Sequence, residues 1–286
     1  MSAPGRPKRD SRSAQREGEN HTSLRPLAAM PAGTRRAIRG VLADIDDTIT
    51  THGQLTPEAY AALARLRATG KLVIPITGRP AGWCDHIARM WPVDAVVGEN
   101  GAFFMRYDAA QRTLQRRFVV DAPARAAQRA ELAAIGARIL AAVPGAALAS
   151  DQQYRECDLA IDFCEDVAPL PRAAVDRIVA LMQAAGLTAK VSSIHVNGWF
   201  GSYDKLGMTR TLLADVFGID LDAERERFVY VGDSPNDAPM FAFFPNAVGV
   251  ANVVPFLDRI ATPPAFVTIG EGGAGFVEVA DFLVTS

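Results

Sequence analysis

No apolar run in the 286-residue chain approaches the roughly 20 residues that cross a bilayer, and the N-terminus lacks the apolar core of a secretory signal. Both absences argue against membrane insertion and make the cytoplasm the expected compartment. Cysteine is scarce. Cys84, Cys157 and Cys164 are odd in number, form no C-x-x-C pair and have no histidine nearby at zinc spacing. This argues against a disulfide framework or zinc site and leaves them as small buried or half-buried residues. Lysine is rarer than its charge class would suggest, four against 26 arginines, so the place of each lysine is informative.

What is present is 49% hydrophobic residues, enough for a sizeable core. Residues 1–39 carry nine Lys/Arg against three Asp/Glu, and the remainder 21 against 29. An acidic body argues against a nucleic-acid polyanion as substrate. The basic start is rich in Ser, Gly and Pro without interleaved aromatics, so residues 1–36 are expected to be a disordered tail. A shorter natural start at Met30 is conceivable.

From about residue 37 short apolar runs alternate with helix-period stretches, as strands alternate with helices around a parallel sheet. A strand over 39–45 is followed by Thr56-Pro57-Glu58: an N-cap, a proline at the first helical position and an acid in the first turn. Strand 71–77, helix 81–90 and strand 94–100 complete a β-α-β-α-β run. Then the pattern changes. A hairpin, an Ala-rich helix at 122–143, strand material in 147–163, a helix near 171–185 and a strand near 188–197 suggest an α+β insertion. Parallel patterning resumes with a helix at 205–217 and strand 227–231, and closes with a helix at 276–283. The expected fold is a doubly wound parallel α/β sheet formed by 37–105 and 201–286, interrupted by an α+β domain over 106–200.

Ligands of open parallel sheets bind beyond the carboxyl ends of the strands. There the chain places Asp44-Ile45-Asp46-Asp47-Thr48, Thr77-Gly78-Arg79 and Gly232-Asp233-Ser234-Pro235-Asn236-Asp237, with Lys205 opening the helix after the insertion. Crowded aspartates raise one another's pKa unless a cation shares the site. Hard oxygen donors without imidazole or thiolate point to Mg²⁺ and a phosphate-bearing substrate.

The ordered set D-x-D-x-T, T-G-R, a lysine, then G-D-x-x-x-D resembles the haloacid dehalogenase superfamily, mostly Mg²⁺-dependent phosphatases. The resemblance implies that Asp44 is the nucleophile, Asp46 the general acid/base, Thr77 a phosphoryl hydrogen-bond donor and Lys205 the neutralising cation. It further implies that Mg²⁺ is held by Asp44, the Asp46 carbonyl and Asp233, with Asp237 a ligand through water or an anchor for Lys205. A phosphosugar mutase and a non-catalytic sugar-phosphate-binding protein are the alternatives. Asp47 departs from the family pattern without an assigned role, and His52 falls in a flap beside the site.

Only 32 residues separate Asp44 from Ile76, so the cap must be 106–200. Its element order resembles the type IIB cap of sugar-phosphate phosphatases. "GENGA" (98–102), with Asn100 and Gly101, and Gly78 and Arg79 join the expected substrate contacts. Strand alternation puts Leu159, Ile161, Phe163, Ile194 and Val196 on one face and Asp158, Asp162, His195, Asn197 and Trp199 on the other. Glu156, Asp158, His195 and Asn197 are therefore expected to hydrogen-bond sugar hydroxyls, and Trp199 to stack on a sugar ring. The expected partner is a small phosphorylated metabolite, with neither nucleic acid nor membrane. "GEGGAG" (270–275) matches a dinucleotide fingerprint but leaves only eleven residues after it, too few for the ribose contact and next strand. "DIDDTI" lacks the glycine and distal glutamate of a calcium loop.

Overall fold

The computed structural model describes residues 24–285. Strand β1 (Arg25–Pro26) and helix α1 (Ala32–Ala37) precede β2 (Gly40–Ala43), α2 (Pro57–Ala68), β3 (Leu72–Pro75), α3 (Ala81–Met90) and β4 (Val96–Gly98). A hairpin, β5 (Phe103–Asp108) and β6 (Thr113–Phe118), leads into α4 (Ala122–Ala142), β7 (Ala147–Leu148), β8 (Asp158–Asp162), α5 (Arg172–Ala184), β9 (Thr188–Val191) and β10 (His195–Trp199). The chain ends through α6 (Lys205–Phe217), α7 (Leu221–Glu224), β11 (Phe228–Gly232), α8 (Ala238–Phe243), β12 (Val248–Gly249), β13 (Phe266–Val267) and α9 (Gly272–Val284).

The main sheet runs β1-β13-β12-β11-β2-β3, all parallel, and an Ile76–Val97 bridge links it to β4. Alternation along the central strands feeds two cores. Val41, Ala43 and Val73 pack with α2, α3 and α9, whereas Leu42 and Ile74 pack with α6 and α8. Helices thus cover both faces, as a doubly wound sheet requires. Connections from β2 run toward β3 on one side, while β11, its other neighbour, leads to β12 and β13, so the switch point lies between β2 and β11.

A second sheet, β7-β8-β10-β9, is antiparallel and holds its own apolar cluster. Leu159, Ile161 and Val196 pack under Leu132, Ile135 and Ile139 of α4 and Ile178 and Met182 of α5. The hairpin behaves differently. β5 pairs with β4, and Phe103 and Met105 join the main core.

Thr56 caps α2 as expected, its hydroxyl accepting from the Ala59 N–H. Three details differ from expectation. Residues 24–36 are ordered: Leu27 and Met30 are buried in the main core and β1 pairs with β13, so two apolar anchors seat this basic segment. The rest of the expected tail, 1–23, lies outside the described residues. The strand near 188–197 is instead two strands, whose turn at 192–194 includes the Ser192 hydroxyl accepting from the His195 N–H. Helix α9 begins at Gly272, because the glycine-rich segment forms its first turn. Gly273 donates from its N–H to the Thr50 carbonyl and the Thr51 hydroxyl, a close approach that side chains would obstruct.

Candidate active site

Asp44 follows β2 and Asp233 follows β11, so the strand pairing at the switch point sets them side by side. The carboxylates of Asp44, Asp233 and Asp237 come within 4.8 Å of one another, all buried. Lys205 Nζ lies 3.2 Å from Asp44 Oδ2 and 2.8 Å from Asp237 Oδ1. Asp204 places this lysine by capping α6, its carboxylate accepting from the Gly207 N–H. The capping turn fits against Gly101, whose φ of 102° and missing side chain leave space for the Asp204 carbonyl.

Each carboxylate has a distinct set of partners. Asp237 accepts from Lys205, the Tyr230 hydroxyl (2.5 Å) and the backbone N–H groups of Asp233 and Ser234. That saturates it and favours the anchoring position over direct contact with a metal. The described hydrogen-bond partners of the Asp233 side chain are neutral: Thr48 Oγ1 at 3.1 Å and Asn252 Nδ2 at 3.3 Å. Burial, then Asp237 and Asp44, push Asp233 well above the usual carboxylate range. Burial pushes Asp44 up to about 7, with Lys205 opposing and Asp237 and Asp46 reinforcing. For Lys205 burial favours loss of the proton, but Asp237 and Asp44 outweigh it and hold the ammonium charged. A buried, hard-oxygen cluster whose Asp233 lacks a cationic partner suits Mg²⁺.

Asp46 lies next to this cluster, partly exposed. Burial raises its pKa, and Arg79, whose Nε donates to Oδ1 at 2.8 Å, pulls against that rise. Thr77 is fully buried and its hydroxyl accepts from the Arg79 N–H. Asn100 has φ 55° and a buried Nδ2 beside Gly78, with no hydrogen-bond partner for that nitrogen. Asp47 (φ 54°) closes a local turn, its carboxylate accepting from the N–H of His52, which is exposed.

The antiparallel sheet turns its polar face toward the acids. His195, Asn197, Ser192 and Ser193 border a small space together with Asp44, Asp46 and Asn236. The other expected sugar contacts are committed elsewhere. Asp158 is buried against Arg155 and accepts from Asn197. Glu156 pairs with Arg125 and Arg129. Trp199 is fully buried, stacked on Tyr203 with its indole N–H donating to the Tyr203 carbonyl, so it offers no platform. Alternation assigned the face correctly for Leu159, Ile161 and Val196, but Ile194, expected on the apolar face, lies in the turn before β10 and borders the polar space; alternation also carries no record of what covers a face.

Sequence reasoning missed the arginine clasp. Arg155, buried in the loop before β8, donates to Asp151 through two nitrogens, to Asp158 and to the Gly78 carbonyl. Arg79 reaches across to Asp151 at 3.4 Å and Glu165 at 2.7 Å. Glu99 of the core accepts from the N–H groups of Ala81, Glu156 and Cys157. Arg155, Asp151 and Glu165 stand on irregular loops, where no periodicity marks them.

Comparisons with known proteins bear on the fold. The family model of haloacid dehalogenase-like hydrolases matches residues 41–127. Comparison with curated proteins finds no match. Among solved structures, protein 0175 of Thermoplasma acidophilum is 17% identical with TM-score 0.65, over 86% of this chain and 98% of that one. A phosphatase of the haloalkanoate enzyme superfamily from Bacteroides thetaiotaomicron is 18% identical with TM-score 0.57, over 89% and 98%. The sucrose-phosphatase of Synechocystis sp. PCC6803, solved with sucrose and phosphate, is 14% identical with TM-score 0.59, over 86% and 98%. None of the described helices is long and apolar enough to cross a membrane.

Proposed function

We propose that this chain, a haloacid dehalogenase-like hydrolase, is a Mg²⁺-dependent phosphatase acting on a small phosphomonoester through an aspartyl-phosphate on Asp44. The observation that carries this reading is the convergence of Asp44, Lys205, Asp233 and Asp237 at the carboxyl ends of adjacent parallel strands. Asp44, Asp233 and the Asp46 carbonyl would hold the cation, which when bound supplies positive charge to the phosphoryl oxygens.

Lys205 and the cation favour the ionised Asp44 carboxylate against burial. Its oxygen bonds to phosphorus as the ester P–O bond breaks. Asp46, whose raised pKa helps it retain a proton, gives that proton to the departing oxygen. As a carboxylate it then takes a proton from the water that attacks phosphorus. The bond to Asp44 breaks, and inorganic phosphate leaves. Thr77 and the Asn100 amide, buried beside Gly78, would orient the phosphoryl group, with Gly78 and Gly101 leaving room for it and for Lys205.

Residues 106–200 act as the cap, with α4 starting the part that has its own core. Likeness to a sucrose-phosphatase supports a sugar or polyol phosphate as substrate, with His195 and Asn197 facing the reaction centre. The test is phosphate release from a panel of phosphomonoesters with Mg²⁺ present or chelated. Release that requires the metal and vanishes in Asp44→Asn is expected. Isomerised ester without net release would indicate a mutase, and binding without either reaction a non-catalytic protein.

A further inference from the structure

Two spaces adjoin Asp46, and they differ in size and chemistry. The polar one, between Asp44, Asp46, Arg79 and the His195–Asn197 strand, has a volume of about 10 Å³, room for one water. Its far side is closed by the ion pairs of Arg79 and Arg155 with Asp151, Asp158 and Glu165. The other is a cavity of about 580 Å³ between the loop after β2, helix α3 and the turn at Tyr154. Trp83, Trp91, Tyr154 and His86 line it with Leu55 and Ile87, and Asp46 borders both spaces.

We propose that this aromatic cavity is the leaving-group subsite and that the alcohol it accepts is an uncharged, ring-bearing group. The inference rests on the phosphatase reading above. The oxygen that Asp46 protonates must stand at Asp46, so the rest of the alcohol extends into a space that Asp46 borders. Only the larger cavity has room for more than a water, and its volume is in the range of small-molecule sites.

Its walls select the chemistry. Trp83 and Tyr154, 42% and 51% exposed, both line the cavity, and the Arg79 guanidinium packs over the Trp83 ring at 4.4 Å. Gly82 lets Tyr154 pack closely on α3, since a Cβ there would come within 2.9 Å of Tyr154 Cβ. No lysine or arginine is among the described lining residues, and the guanidinium of nearby Arg79 is already paired with Asp46 and Glu165. A second phosphate or a carboxylate on the alcohol would find no cationic partner there and would lose its hydration. An aryl ring, or the C–H face of a glycosyl ring, would be held.

The test compares full-length, Mg²⁺-loaded wild type with Trp83→Ala and Tyr154→Ala. Both residues are too exposed to be essential for folding. Three esters are turned over: 1-naphthyl phosphate, glucose 6-phosphate and acyclic glycerol 3-phosphate. Each variant should raise KM for at least one ring ester by about tenfold, the loss of roughly one stacked ring, and leave glycerol 3-phosphate within about twofold. Which ring ester responds tells aryl from glycosyl recognition. Equal changes on all three esters, as a disturbance of Arg79 through its contact with Trp83 would cause, overturn the proposal; so does no change on either ring ester.

Tryptophan fluorescence titrated with phenol, a ring hydroxyl compound that carries no phosphate and is uncharged at neutral pH, reads binding apart from turnover. Saturable quenching weakened by Trp83→Ala is expected. Such quenching in a protein that hydrolyses no ester would refute the phosphatase reading and this subsite's role together, leaving a ring-binding cavity. Turnover with neither quenching nor ring selectivity would refute the subsite alone.

Discussion

Lys205 is held by two buried carboxylates, and its removal would leave both without a cation. Lys205→Met is expected to cost about 3–5 kcal/mol of stability, as breaking a buried pair does, and to lower kcat by at least about 100-fold. Chemical denaturation and phosphate release measure the two effects. Gly101→Ala acts by geometry alone. With φ 102° and the Asp204 carbonyl against its open face, an added methyl is expected to cost about 1–3 kcal/mol and to displace Lys205, read as a lower unfolding midpoint and a lower kcat. At this scale the sequence was most legible where chemistry restricts residue type. Aspartates at strand ends and one lysine among four could be picked out in advance. Trp199 could not, because the Tyr203 ring that covers it comes from the following loop.

Charged side chains bridge the loops of the antiparallel sheet to the parallel core, alongside apolar contacts such as that of Cys157. Arg155 is fully buried there, and Arg155→Met would strand Asp151 and Asp158. The expected loss is about 3–5 kcal/mol by denaturant titration. Glu165 makes a second link. His195, whose Nε2 lies 2.8 Å from Oε2, and then Arg79 hold its carboxyl down at about 2 against an ordinary 4.5. A depressed folded-state pKa gives stability that is present above 4.5 and is lost as pH falls through the window toward 2. Wild type should therefore be more stable than Glu165→Gln near neutrality, and the difference between their unfolding midpoints should shrink as the pH is lowered from 5 to 2. A constant difference would show that Glu165 contributes no linked charge. Helices were legible because caps and periodicity are local, as at Thr56. This clasp was not, because its partners are brought together only by the packing of loops far apart in the chain.

Across the whole molecule, chain order and sheet order explain why six residues spread over almost 200 positions share one site. β2 and β11 are neighbours at the switch point, and whatever follows both strands meets there. That both strands belong to one doubly wound sheet could be read from alternating strand and helix patterns on either side of the insertion, whereas their adjacency is seen only in the strand order. The ordered segment 24–36 could not be read so, since its composition is that of a tail, and what seats it, the pairing of β1 with β13 and the burial of Leu27 and Met30, is tertiary. The glycine run at 270–275 also finds its use at this scale. It brings α9 against Thr50 and Thr51, while Asn252 joins Gly272 to Asp233 and the Asp47 carbonyl. The central claim, that these parts serve phosphoryl transfer to Asp44, is tested most directly by acid-quenching the Mg²⁺-loaded protein during turnover of a ³²P-labelled ester. The account predicts an acid-stable, base-labile label on the peptide bearing Asp44, absent from Asp44→Asn. Rapid phosphate release with no label on the protein, or with label on another residue, would contradict it.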